Sequence, residues 1–163
     1  MKVQNLMSEK VSVCGFNTNL AEAAAMMWEN DCGCLPVITE SGAVEGLITD
    51  RDIAIALGTR NQCAYEIPVG EVMTGKVYGC TPDDDIHTAL KTMGKEKVRR
   101  LPVVNAEGNL AGLLSLNDVA IYAKSFDADK TVALSYEDVI NTFKAICEHC
   151  HTEDIEKVQI TTA

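Results

Sequence analysis

Two short stretches of the chain offer a hydroxyl and a carboxylate at the same spacing. Residues 46–52 read GLITDRD and residues 112–118 read GLLSLND. Thr49 and Asp52 thus face the same chemical task as Ser115 and Asp118. One reading is local: a Thr or Ser at the end of a strand caps the next helix, and the acid sits in its favourable first turn. The other reading uses the same geometry for a ligand. Free amides and a hydroxyl at a helix start suit a phosphate, and a carboxylate suits the paired hydroxyls of a ribose.

The two stretches belong to a longer repeat. Residues 3–57 align with 69–123 without a gap, and sixteen of the 55 pairs are identical. Among them are Val3/Val69, Met7/Met73, Cys14/Cys80, Met27/Met93, Leu35/Leu101, Pro36/Pro102, Gly46/Gly112 and Asp52/Asp118. A gapless match of this length indicates duplication.

Each copy has the same predicted elements. Leu20, Ala23, Ala24 and Met27, behind Thr18 or Asn19, recur at helical spacing. Ile86, Ala89, Leu90 and Met93 do so behind Asp84 or Asp85. The runs 35–38 and 44–49, like 101–104 and 110–115, read as strand pairs around a glycine turn. Residues 51–57 and 117–124 read as second helices, and 11–13 and 77–79 as short extended leaders. The expected fold is α/β (α+β): two βαββα units packed as a pseudo-twofold pair. The expected boundaries are 1–60 for the first unit, 61–68 for a linker and 69–124 for the second. Beyond a polar connection at 125–134, Tyr136, Val139, Ile140, Phe143, Ile146, Cys147 and Cys150 predict an amphipathic helix. It falls within a C-terminal segment, helix and tail, over 134–152. The end, 158–163, reads as a short strand or a frayed tail.

The charge balance limits the partners. Lys and Arg number 14 against 24 Asp and Glu, a net charge of −10, which repels nucleic acid and anionic lipid. No membrane segment or export signal is read, so a cytoplasmic location is expected. Against the acidic background, Arg51, Lys95, Lys97, Arg99 and Arg100 cluster near the suspected site, where a guanidinium suits phosphate oxygens. The alternative for residues 95–100 is a solvated charge cluster.

The 6-LMS-8 and 72-VMT-74 openings, the LPVI and LPVV runs and the two Gly-to-Asp motifs together resemble a tandem pair of cystathionine beta-synthase (CBS) domains, a Bateman module. The resemblance covers residues 3–123. It implies two clefts that bind AMP, ADP, ATP or an S-adenosyl compound. It implies that Asp52 and Asp118 hold ribose hydroxyls, beside Thr49 and Ser115. Arg51 and Asn117 would help with phosphate or sugar, and Arg99 and Arg100 would reach phosphate. Thr81 would close the opposite cleft, and backbone near Val13 and Tyr78 would meet the base. Arg99 and Arg100 are assigned to the Asp118 cleft, and Arg51 and Thr81 to the Asp52 cleft. A homodimer is implied, and a regulated protein partner is compatible with the module.

Three rivals stand beside this reading. Catalysis lacks a positioned base or nucleophile, because His87, His149 and His151 have no repeated partners, so no enzyme is expected. His87 is expected to be solvated. A ligand-free scaffold would keep the fold and not the clefts. A metal or redox role would use Cys147, Cys150 and His151, with Cys32 or Cys34 completing the set. No cofactor and no bound metal are expected.

Overall fold

The structure is a computed structural model that describes residues 1–124 and 133–148. The predicted tail at 158–163, and Cys150 and His151, lie outside the described residues.

The first unit runs α1 (Leu20–Glu29), β1 (Cys34–Ile38), β2 (Val44–Thr49) and α2 (Asp50–Thr59). The second runs α3 (Ile86–Glu96), β3 (Arg100–Val104), β4 (Leu110–Ser115) and α4 (Leu116–Tyr122). The C-terminal α5 spans Tyr136–Cys147. Each unit holds one antiparallel pair, and the registers match: Cys34 faces Thr49 as Arg100 faces Ser115. The leading strand of each unit is reduced to a single parallel bridge, Cys14 to Val37 and Cys80 to Val103. Both hairpins turn through a left-handed glycine, Gly42 at φ +88° and Gly108 at φ +83°, a conformation that costs glycine no Cβ clash. The turns meet across the pair, where Leu110 N–H donates to the Gly42 carbonyl at 3.0 Å.

Apolar residues at helical and alternating spacing bury into two cores rather than one. One gathers Leu20, Ala23, Met27, Leu35, Val37, Ile48 and Ile53. The other gathers Ile86, Ala89, Leu90, Met93, Leu101, Val103, Leu114 and Val119. The leaders are exchanged. Val3 and Leu6 pack into the second core, and Ile67 and Val69 into the first. The backbone fixes the exchange symmetrically. Val3 N–H donates to the Asp84 carbonyl at 2.9 Å, as Val69 N–H donates to Thr18 at 2.7 Å. Ile86 N–H donates to Met1, and Leu20 N–H to Ile67. Each leader supplies apolar side chains to a unit too small to bury much by itself.

α5 lies on α3 and α4. Thr142 and Ile146 face inward, while Tyr136, Ile140 and Phe143 are exposed. Leu134, in the stretch read as a polar connection, is buried in the second core. Among the described residues, no helix is long and apolar enough to cross a membrane.

Candidate ligand cleft

Thr49 ends β2 in extended conformation and caps α2. Its hydroxyl oxygen accepts from Asp52 N–H at 3.2 Å. Asp52 Oδ2 accepts in return from Thr49 N–H at 3.0 Å and from the Thr49 hydroxyl at 2.6 Å. Ser115 and Asp118 repeat this at 3.2, 2.8 and 2.6 Å. These are reciprocal capping boxes, each satisfying two orphan donors of a helix start. Ser135 and Asp138 form a third, at 3.2, 2.8 and 2.7 Å, at the head of α5 and outside the repeat. Capping therefore accounts for the hydroxyl–acid pair by itself. In Asp52 and Asp118 only one carboxylate oxygen is used for the cap, and Oδ1 makes no hydrogen bond among the described residues.

What separates the two repeated corners is their surroundings. The Thr49 corner opens into a cleft of about 570 Å³. Four stretches of chain converge on it. The end of β2 and start of α2 bring Thr49, Asp50 and Arg51. The crossing leader brings Thr74, Lys76 and Tyr78, and the α3–β3 turn brings Lys97, Arg99 and Arg100. The end of α5 brings Ile146 and Cys147. Lys97 caps α3 in the left-handed conformation, φ 56°, which turns the chain sharply so that residues 98–100 run to the cleft.

The basic groups are positioned by neighbours. The Arg99 guanidinium lies 5.9 Å from the centre of the Phe143 ring, and Lys76 Nζ 4.9 Å from that of Tyr78. Lys97 Nζ donates to the Glu148 carbonyl at the end of α5. The neighbouring Tyr78 side chain holds the Lys76 ammonium above its ordinary pKa and the Glu96 carboxyl below its own.

Arg99 and Arg100, assigned from the sequence to the Asp118 cleft, line the Thr49 cleft with Arg51, and Arg100 also stands opposite Ser115 in the β3–β4 register. The start of β3 lies near the start of β1, close enough for the Arg100 charge to act on Cys34. Asp52, Ser115, Asn117 and Asp118 are not among the residues lining this cleft, where the acid of the α2 start is Asp50. Thr81 is exposed, its N–H donating to Asp84 Oδ2 at 2.7 Å, and it is not among those residues either. Tyr78 lines the basic cleft. Val13 lines a separate cavity of about 290 Å³ with Val11, Ile38 and the two hairpin turns. Lys95 pairs with Glu96 at 3.3 Å. Lys76, Ile146 and Cys147 were not read as site residues. Their approach depends on the exchanged leader and the docking of α5, which periodicity does not show.

Cys34 and Cys147 line the same cleft. Burial pushes the Cys34 thiol up to about 11 against the opposing pull of Arg100. Among the described residues no group of three His, Cys, Asp or Glu side chains is placed to hold a metal ion. His87 is half exposed, with Nδ1 3.1 Å from Asp85 and Nε2 3.7 Å from Asp138.

A duplicated pair of α/β units, with a capped strand-to-helix corner in each and a cleft where leader, turn and corner meet, defines a two-unit ligand-binding module. The chain belongs to the CBS domain family, whose model matches it twice, over residues 3–59 and 69–125. It is 33% identical over 119 residues to the CBS domain-containing protein YhcV of Bacillus subtilis, covering 73% of this chain and 83% of that one. It is similar in fold to the CBS domain pair of protein MJ0100 in complex with 5′-methylthioadenosine and S-adenosyl-L-methionine. The TM-score is 0.68 at 25% identity, over 74% of this chain and 94% of that one. It is likewise similar to Hypoxic Response Protein I with two coordinated zinc ions. There the TM-score is 0.69 at 28% identity, over 76% of this chain and all (100%) of that one.

Proposed function

We propose that this chain is a non-catalytic regulatory module of the cytoplasm that binds an adenosine-containing ligand at the Thr49 corner. The observation that carries the reading is convergence. The start of α2, with Thr49, Asp50 and Arg51 of one unit, shares a cleft with the cationic α3–β3 turn of the other, and Asp52 follows one residue beyond the lining. Asp52 accepts the ribose hydroxyls through Oδ1 while Oδ2 keeps the cap. Thr49, the α2 amides and Arg51 meet phosphate or other polar groups. The complex of MJ0100 with two adenosine compounds supports the ligand class.

Calorimetric titration with AMP, ADP, ATP and S-adenosylmethionine tests this. Asp52→Ala is expected to weaken the best ligand by about tenfold or more, the worth of a charge-assisted hydrogen bond. Asp118→Ala loses the same cap at the other corner and serves as the matched control, with affinity retained. Equal affinities in both variants and the parent would remove Asp52 from binding.

We also propose a homodimer through the first unit. Trp28 is 87% exposed and borders a groove with Met27, Ile53 and Leu57 between α1 and α2. In the second unit the matching helices are covered by α5. Sedimentation velocity is expected to show a dimer that Trp28→Glu dissociates. A parent chain that stays monomeric at tens of micromolar, a range where specific interfaces of standard size associate, rejects it.

A further inference from the structure

We propose that the Thr49 cleft selects a ligand carrying a chain of two or more phosphates, and that the chain has one such site and not two. The inference rests on the reading of this cleft as the ligand site and narrows the ligand class.

Five cationic side chains line the cleft: Arg51, Lys76, Lys97, Arg99 and Arg100. Asp50 is the one carboxylate among the lining side chains. Arg51, Lys76, Arg99 and Arg100 form no ion pair with a described carboxylate. Like charges held together raise the local potential, here with four of the five in no ion pair to a described carboxylate and in a chain whose net charge is −10. A bound polyanion relieves that repulsion, and guanidinium groups match phosphate oxygens in geometry as well as charge. A ligand that adds positive charge, such as a sulfonium, meets the same field with the opposite sign.

The duplication supplies an internal comparison. At the offset of 66 residues, Arg51 becomes Asn117, Lys97 becomes Asp31 and Arg99 becomes Gly33, while Arg100, opposite Ser115 in the β3–β4 register, stands between the two corners and does not distinguish them. Lys76 alone keeps its charge, as Lys10. The fold repeats the capped corner twice, and the sequence places the phosphate-matching charge at one of them.

The test is titration of the full chain with adenosine, AMP, ADP, ATP, S-adenosylmethionine and inorganic tripolyphosphate at low and high salt. The parent and an Arg99→Gln/Arg100→Gln variant are compared, with circular dichroism checking that the variant is folded. ATP is expected to bind at one equivalent per chain, about tenfold or more tighter than AMP, with the gap closing at high salt as charges are screened. The double variant is expected to lose most of that gap while adenosine and AMP change little. Equal affinities for AMP and ATP, tightest binding of S-adenosylmethionine, or a phosphate dependence that survives the double variant would overturn the proposal while leaving the adenosine site standing. Tripolyphosphate binding without any adenosine compound would uphold the phosphate site and remove the adenosine reading. Binding of no compound would remove both.

Discussion

Gly112→Ala is expected to lower the unfolding free energy by about 1–3 kcal/mol, the usual cost of forcing extra volume into a filled space. Gly46→Ala is expected to do the same at the other corner. A Cβ at Gly112 would stand 2.8 Å from the Ser8 carbonyl oxygen and 3.0 Å from Met7 Sδ. At Gly46 it would stand 2.9 Å from the Thr74 carbonyl oxygen and 2.6 Å from Met73 Sδ. The methionines can swing away, but the carbonyls cannot. Ser8 is tied to Leu113 by hydrogen bonds of 2.9 and 3.0 Å, and Thr74 to Leu47 by bonds of 2.9 and 3.3 Å. Moving the leader back breaks both bonds and withdraws its apolar residues from the other unit's core. Gly58 provides the control, since it lies in α2 with no atom within 4 Å of an added Cβ. Gly58→Ala should stabilise by about 0.5–1 kcal/mol through helix propensity. Urea melts of the three variants decide the matter. A Gly112→Ala variant as stable as the parent would mean that the leader does not cross β4 so closely.

These glycines show where sequence reading stops. Their place in the repeated motif was plain, because the two copies align without a gap. Helices, hairpins and caps were equally plain, because each depends on residues a few positions apart. The reason for glycine was not, because it lies 104 residues away in sequence for Gly112 and Ser8 and 28 for Gly46 and Thr74, separations that leave no local pattern. The leaders are also alike at their apolar positions, with Val3 matching Val69, Leu6 matching Val72 and Met7 matching Met73. Either leader would satisfy either core by composition, so exchange leaves no mark in the sequence. The same ambiguity hid that Arg99 and Arg100, assigned to the Asp118 cleft, also line the Thr49 cleft. The alignment pairs them with Gly33 and Cys34 but does not say across which side of the pair their side chains reach. The third hydroxyl–acid capping box, Ser135 with Asp138, was not singled out in the sequence. Its recurrence away from the repeat weakens any argument from the hydroxyl–acid pair alone. The basic cleft therefore bears more of the functional reading than the motif does.

Leu134→Ala is expected to cost about 2–5 kcal/mol, as for other buried leucines. That is a large share of the roughly 5–15 kcal/mol that holds a domain folded. Leu134 is 2% exposed and belongs to the second core together with Val3, Leu6, Ile86 and Ile146. Backbone bonds lock it there. Lys124 N–H donates to the Leu134 carbonyl and Tyr136 N–H to the Lys124 carbonyl, both at 3.1 Å. The end of α4 and the start of α5 are thereby clamped side by side. Ile140, on the outer face of α5 and 51% exposed, is the matched test of the opposite case. Ile140→Ala should stay within about 0.5 kcal/mol of the parent, as surface changes do. Denaturant unfolding separates the two outcomes. If both variants cost the same small amount, α5 is an appendage that merely rests on the pair. If Leu134→Ala carries the full loss, α5 is part of the second unit's core. The wall that Ile146 and Cys147 give the cleft, and the contacts that hold Lys97 and Arg99 to Glu148 and Phe143, are then anchored by the same burial. Events in the cleft and the seating of α5 would share one free energy, and a ligand that draws Lys97 or Arg99 away would be felt at the helix.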